Sequence, residues 1–309
     1  MADRPTLEGE ISFQAPGAAE PGKTWYKIIG KLESTPLIAL HGGPGTGYEY
    51  MDPLIDLYDK HGIPIIFYDQ VGCGRSTHYR ERMGDGSFWT FDLFIEELDN
   101  LVDHLELRQK GFYILGQSWG GMLGAAYATR CPRGLKKLIL AGSPASIPLY
   151  AKAANYLLSQ LPPDVRDTLQ ECIEKGDFES PEYQAASLVF YKRHFCRIYP
   201  FPEPIQIGFK NLEDDPTAYL TMQGPSEFVI NGTFKDWEGW KGAHNIKAET
   251  LLLNGRYDEA MDSCIEPWFK TIPKVKWAIL ENSAHMTHWE ERERFMQLCG
   301  AFLTDSLNK

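Results

Sequence analysis

The segment Gly116-Gln117-Ser118-Trp119-Gly120 matches G-x-S-x-G, between the apolar run Phe112 to Leu115 and a stretch of helix formers. At a tight turn from strand to helix a serine is held in strained backbone geometry, and flanking glycines remove side chains that would crowd it. Ser118 would then project into a cleft, with the first N–H groups of the next helix facing any negative charge that develops there. The alternative is an ordinary Gly-Ser turn, so partners must decide. Serine is a weak nucleophile at neutral pH; it needs a base, and an imidazole base needs a carboxylate to fix its tautomer and stabilise its cation. Asp258 follows the apolar run Thr250 to Leu253, and His285 follows Lys276 to Leu280. The order Ser118, Asp258, His285, each just beyond a predicted strand, is that of an acyl-transfer triad. His61, His78, His104, His194 and His244 lack this context, and His288 lies close to His285. Asp262, farther from its strand, is second choice for the acid.

Upstream, Pro36 to Leu40 runs directly into His41-Gly42-Gly43-Pro44-Gly45. Its glycines let backbone donors approach a substrate oxygen, so the backbone N–H groups of Gly43 and Trp119 are the expected oxyanion hole. A phosphate cradle would need G-x-G-x-x-G or a following Gly-Lys-Ser/Thr, and neither is present.

These residues need a scaffold, and the chain alternates strand and helix signals. Eight short runs rich in branched and aromatic residues are predicted strands: Glu10 to Gln14, Trp25 to Ile29, Pro36 to Leu40, Ile63 to Tyr68, Phe112 to Leu115, Lys137 to Ala141, Thr250 to Leu253 and Lys276 to Leu280. The later runs are almost continuously apolar, as strands of a parallel sheet buried on both faces should be. Phe94, Leu98, Leu101, Val102 and Leu105 form one helical stripe, and a second helix is expected from Trp119 to Arg130, stopped by Cys131-Pro132. From 146 to 242 the rhythm changes to helix-like pieces with proline-rich joints. The expectation is an α/β core made of 1–145 and 243–309, interrupted by a mostly helical cap at 146–242.

The chain of 309 residues carries 31 Lys and Arg against 42 Asp and Glu, a net charge of −11. Nucleic acid and anionic membrane surfaces are therefore unsuited partners. The opening MADRPTLEGE has no apolar stretch of a secretory signal, and no run reaches the ~18 apolar residues of a membrane span, so a cytoplasmic location is expected. The six cysteines show no C-x-x-C pair or Cys/His cluster, which argues for reduced packing residues and against a zinc site. Cys73 is expected to pack, and the loop from Asp69 to Ser76 to be structural. No metal and no cofactor are expected.

Taken in order, His41-Gly42-Gly43-Pro44-Gly45, Tyr68 to Ser76, Gly116 to Gly121, Gly224-Pro225-Ser226-Glu227-Phe228, Arg256-Tyr257-Asp258-Glu259 and His285 to Glu290 resemble the proline iminopeptidase group of α/β-hydrolases, from about Thr24 to about Phe302. Gln117 and Val71 depart from it, standing where the group often carries glycine and arginine. The resemblance implies an α/β-hydrolase fold with a mostly parallel eight-stranded sheet and metal-free release of an N-terminal amino acid from a short peptide or amino-acid amide. It also implies that Glu227 and Glu259, with help from Tyr219, bind the substrate ammonium. Without it, Glu227 reads as a solvated turn residue and Glu259 as a loop charge. Cap aromatics Tyr191, Phe195, Tyr199, Phe201 and Phe228 suggest an apolar pocket. Two other functions remain open at this point: an esterase, lactonase or amidase acting on a metabolite without a free amine, and a non-catalytic ligand receptor.

Overall fold

The computed structural model describes residues 4–306. Eight strands form one sheet: β1 (Thr6–Phe13), β2 (Gly22–Ile29), β3 (Leu37–Leu40), β4 (Ile65–Tyr68), β5 (Phe112–Gln117), β6 (Leu135–Ala141), β7 (Glu249–Gly255) and β8 (Val275–Leu280), in the spatial order β1-β2-β4-β3-β5-β6-β7-β8. β2 pairs antiparallel with β1 and β4, and every pairing from β4 to β8 is parallel. β1 begins at Thr6, earlier than its apolar run suggests, because its first half lies largely exposed at the sheet edge and the lone Leu7 there makes no hydrophobic pattern.

Successive residues of the central strands enter opposite cores. Ile38, Leu40, Ile66, Ile114, Leu138 and Leu252 pack on one face, whereas Leu37, Ala39, Ile65, Leu115, Ile139 and Leu251 pack on the other. Between the strands of the core run the helices α1 (Ile55–His61), α2 (Phe91–His104), α3 (Leu107–Lys110) and α4 (Trp119–Thr129). The predicted stripe of α2 buries Phe94, Leu98, Leu101 and Val102, and Thr90 caps its start by accepting the N–H of Leu93.

Between β6 and β7 the chain forms α5 (Ile147–Ser159), α6 (Pro163–Lys175), α7 (Pro181–His194), α8 (Glu203–Asp214) and α9 (Thr217–Met222), then a 3₁₀ turn at Gly239–Asn245. Proline in the first turn of α5, α6, α7 and α8 presets the helical backbone where no N–H partner is needed. α5, α6 and α7 share a separate apolar cluster that includes Leu157, Leu169, Tyr183 and Phe190. The chain then returns to the sheet, and α10 (Asp262–Thr271), α11 (Thr287–Glu290) and α12 (Arg292–Leu303) complete it.

Candidate active site

Ser118 stands between β5 and α4 with φ 55° and ψ −123°, the strained turn expected of the motif. Its N–H donates to the Ala141 carbonyl at 2.9 Å, and its own carbonyl accepts from Gly121 and Met122, so the strain is held from both sides. The motif's outer glycines are sterically required. A Cβ on Gly116 would lie 2.2 Å from the Gly120 carbonyl oxygen, and one on Gly120 would lie 2.0 Å from that of Leu40.

His285 Nδ1–H donates to Asp258 Oδ1 at 2.7 Å, and the same oxygen accepts the Ala260 N–H at 2.8 Å. Both side chains are buried, and Asp258 Oδ2 has no hydrogen-bond partner among the described residues. Gly142, at φ +53°, leaves room for the pair; a Cβ there would stand 2.9 Å from both Asp258 Oδ2 and His285 Nδ1. Burial pushes the imidazole pKa down, but the charge and hydrogen bond of Asp258, with Glu259 and Glu290 behind it, push harder and leave it raised. Nε2 remains for the pocket that Ser118 also lines, although no hydrogen bond joins it to Ser118 Oγ in this resting geometry.

The competing residues are placed elsewhere. Asp262 binds Asn254 Nδ2 at 2.8 Å and Arg256 at 3.0 Å, half in solvent. The buried His288 donates Nε2–H to the Tyr50 carbonyl at 3.0 Å, and burial lowers its pKa to about 4. α7 joins the acid and base loops, since the His194 carbonyl accepts the N–H of Glu259 at 3.1 Å and of His285 at 3.3 Å.

The loop after β3 is braced by side-chain contacts that no motif announces. Gly42 N–H donates to Tyr50 Oη at 2.6 Å, Tyr50 O–H donates to Gln117 Oε1 at 2.8 Å, and Gln117 Nε2–H reaches the His285 carbonyl at 3.4 Å. Gln117 thus fills the position where the sequence departs from the family pattern and ties all three active-site loops together. A second brace runs through Gln70: its N–H donates to His41 Nε2 at 3.0 Å, its amide to the His41 carbonyl at 3.1 Å, and Trp119 Nε1–H to its Oε1 at 2.9 Å. Burial lowers the His41 pKa to about 4, which keeps that imidazole neutral and able to accept. Gly43, at φ +105°, and Trp119 both line the pocket, and their N–H groups have no acceptor among the described residues. The Asp69 to Ser76 loop therefore supports the site as well as turning the chain, while Cys73 within it is buried.

Both glutamates reach the same pocket. Glu259 is 5% exposed, so it is no loop charge; its Oε1 accepts from Tyr150 Oη at 3.1 Å and lies 3.9 Å from His285 Nε2, and Oε2 has no partner. Burial raises its pKa, against the pull of His285. Glu227 is partly buried and held on two sides, by Tyr191 Oη at 2.9 Å and Tyr219 Oη at 3.2 Å. Tyr219 acts on Glu227, and Tyr150 does the same for Glu259 without having been singled out by any motif.

The apolar walls differ from the expected cap aromatics. Of Tyr191, Phe195, Tyr199, Phe201 and Phe228, only Phe195 lines the pocket. Tyr199 is 55% exposed beneath Lys192, and Phe228 packs on Phe190 inside the apolar cluster shared by α5, α6 and α7. One wall instead comes from Trp119, Met122, Ile147 and Phe234, and the other from Phe195, Ile205, Phe209 and Leu212.

A strained serine at a strand-to-helix turn, with a buried histidine–carboxylate pair behind the same pocket, defines the class as an alpha/beta hydrolase, and the family model described as alpha/beta hydrolase fold matches residues 35–292. The proline iminopeptidase of Saccharolobus solfataricus is 36% identical over 278 residues, which cover 90% of this chain and 87% of that protein. The crystal structure of the Mycobacterium smegmatis proline iminopeptidase has a TM-score of 0.87 at 35% identity, covering 96% and 98% of the two chains. That of VinJ has a TM-score of 0.92 at 38% identity, covering 97% and 99%. The chain belongs to the proline iminopeptidase family of α/β-hydrolases, and it is an enzyme.

Proposed function

We propose that the protein is a serine aminopeptidase that releases an N-terminal residue, proline or another apolar amino acid, from short peptides or amino-acid amides, with segment 146–242 serving as the cap that closes its pocket. The observation that carries this reading is the pair of tyrosine-held carboxylates, Glu227 and Glu259, in the same pocket as Ser118 and His285. A substrate ammonium between them gains charge-assisted hydrogen bonds worth about 1.5–3 kcal/mol each. The unpartnered Glu259 Oε2 supplies an acceptor that nothing else among the described residues uses. The family's proline iminopeptidases agree with this reading in name.

The chemistry follows from the atoms present. His285 Nε2 takes the Ser118 hydroxyl proton as Oγ attacks the scissile carbonyl carbon, and the N–H groups of Gly43 and Trp119 receive the oxyanion. The C–N bond breaks as His285 returns that proton to the leaving amine, and water, activated by the same imidazole, then hydrolyses the ester. Asp258 stabilises the imidazolium throughout.

A fluorophosphonate probe tests the nucleophile. It should label Ser118 and block turnover, and Ser118→Ala should lose the label and at least ~10⁴-fold in kcat with the fold unchanged by circular dichroism. Labelling at another residue would remove Ser118 from the role.

A further inference from the structure

With an ammonium between Glu227 and Glu259 and the scissile carbon at Ser118, the leaving group must occupy what remains of the pocket beside His285, which returns the proton to it. The wall that reaches His285, through Phe195, is the one built by α8. Its Asn211 donates to the Thr46 carbonyl at 2.8 Å, fixing the helix on the glycine loop, and a Cβ on Gly45 would touch Leu212 Cδ2 at 3.2 Å. Phe195 links the wall to the base, with ring centroids 6.0 Å from His285 and 5.3 Å from Phe209. Ile205, Gly208, Phe209 and Leu212 are the residues α8 presents to the pocket.

No lysine or arginine lines this pocket among the described residues. Of the cations nearby in sequence, Lys210 sits on Asp214 at 2.7 Å, Lys192 lies over the Tyr199 ring, Arg197 donates to the Asn282 carbonyl at 2.8 Å, and Arg193 is exposed. The charged groups inside are two carboxylates and the His285 imidazole.

A free dipeptide would carry its C-terminal carboxylate into this wall, because that group is only two bonds from the scissile nitrogen. There it would lose water, meet no fixed cation, and feel repulsion from Glu227 and Glu259. Pairing with His285 would be no remedy, since a carboxylate at Nε2 holds a proton on the base that must be free to accept one. An uncharged apolar amine meets none of these penalties and buries its surface on Phe209 and Leu212.

We infer that the leaving-side subsite selects uncharged, apolar leaving groups, so that the substrates are amino-acid amides of aryl or alkyl amines and C-terminally blocked or longer peptides, with free dipeptides excluded. The inference rests on the aminopeptidase reading proposed above.

The test uses the wild-type enzyme and three compounds with the same N-terminal residue: a dipeptide ending in phenylalanine as the free acid, its carboxamide, and the N-acetylated carboxamide. kcat/KM for the carboxamide should exceed that for the free acid at least tenfold. The gap should shrink in the matching tripeptides, whose carboxylate lies about 3.3–3.6 Å farther out. Leu212→Lys, which puts a cation on the α8 wall, should narrow the dipeptide gap. Equal rates for acid and amide, or a gap undiminished in the tripeptides, would overturn the proposal, and a ratio unmoved by Leu212→Lys would remove α8 as the leaving-group wall. The N-acetylated compound separates the two readings: if it is cleaved as fast as the free amine, recognition of the ammonium fails, while the acid-to-amide ratio still reports on the leaving side.

Discussion

Glu259 stands close enough to both the substrate's expected ammonium and the base to affect each. At 3.9 Å from His285 Nε2, in a buried site, its carboxylate favours the imidazolium and so helps raise the His285 pKa. Because the base works only when neutral, the acidic limb of kcat/KM should lie above the ordinary histidine value of about 6.5. Removing the Glu259 charge removes part of what holds the proton, so Glu259→Gln should move that limb downward by at least ~0.5 unit, since unit charges ~4 Å apart interact by up to ~4 kcal/mol at an effective dielectric of 20. A limb that stays put or moves up in a pH–rate profile with a neutral ester would deny the coupling. The two groups titrate as a pair, so the profile belongs to both. That Ser118, Asp258 and His285 would be brought together was legible in the sequence because each follows a strand, where its neighbours in the chain announce it. The hydrogen bonds of Tyr150 and Tyr191 to the glutamates were not, because these side chains come from α5 and α7 and their meeting with Glu259 and Glu227 depends on how the insertion folds.

At the scale of elements, three loops from distant parts of the chain must keep register, and the chain Gly42, Tyr50, Gln117, His285 is what crosses between them. Tyr50→Phe leaves the Gly42 N–H and Gln117 Oε1 without their partner in a buried place, a cost of about 1–3 kcal/mol per group. If the resting geometry bears that cost, the glycine loop shifts, and kcat should fall about tenfold or more for ester and aminoacyl substrates alike, with KM little changed. A loss confined to free-amine substrates would assign Tyr50 to substrate binding, and unchanged kcat would make the relay incidental. The sheet was legible from its apolar runs because the central strands are buried on both faces, with Leu37 to Leu40 entirely enclosed. The half-exposed start of β1 and the wall contributed by α8 were not. A helix whose inner face lines a cavity has the same amphipathic pattern as one that packs on a core, so Phe209 and Leu212 carry no mark of their use.

Over the whole molecule, the core holds Ser118, Asp258 and His285 on the sheet's connecting loops, whereas the insertion between β6 and β7 supplies Tyr150, Phe195, Phe209, Tyr219 and Glu227 to the pocket. Under the proposed function this division separates chemistry from selection: the core breaks the bond, and the insertion, with Glu259 from the core, decides which amine is admitted. The net charge of −11 works in the same direction, since it favours cationic substrates over anionic ones. Among the described residues no helix is long and apolar enough to cross a membrane. The most direct test of the central claim is the ratio of kcat/KM for an aminoacyl arylamide to that for a neutral acyl ester, measured in wild type and in Glu227→Gln. Loss of one or two charge-assisted bonds should cut the aminoacyl value at least about tenfold and leave the ester nearly unchanged, so the ratio should fall by that factor. Equal loss on both substrates, leaving the ratio where it was, would contradict recognition of the ammonium by Glu227 and with it the reading of this enzyme as an aminopeptidase.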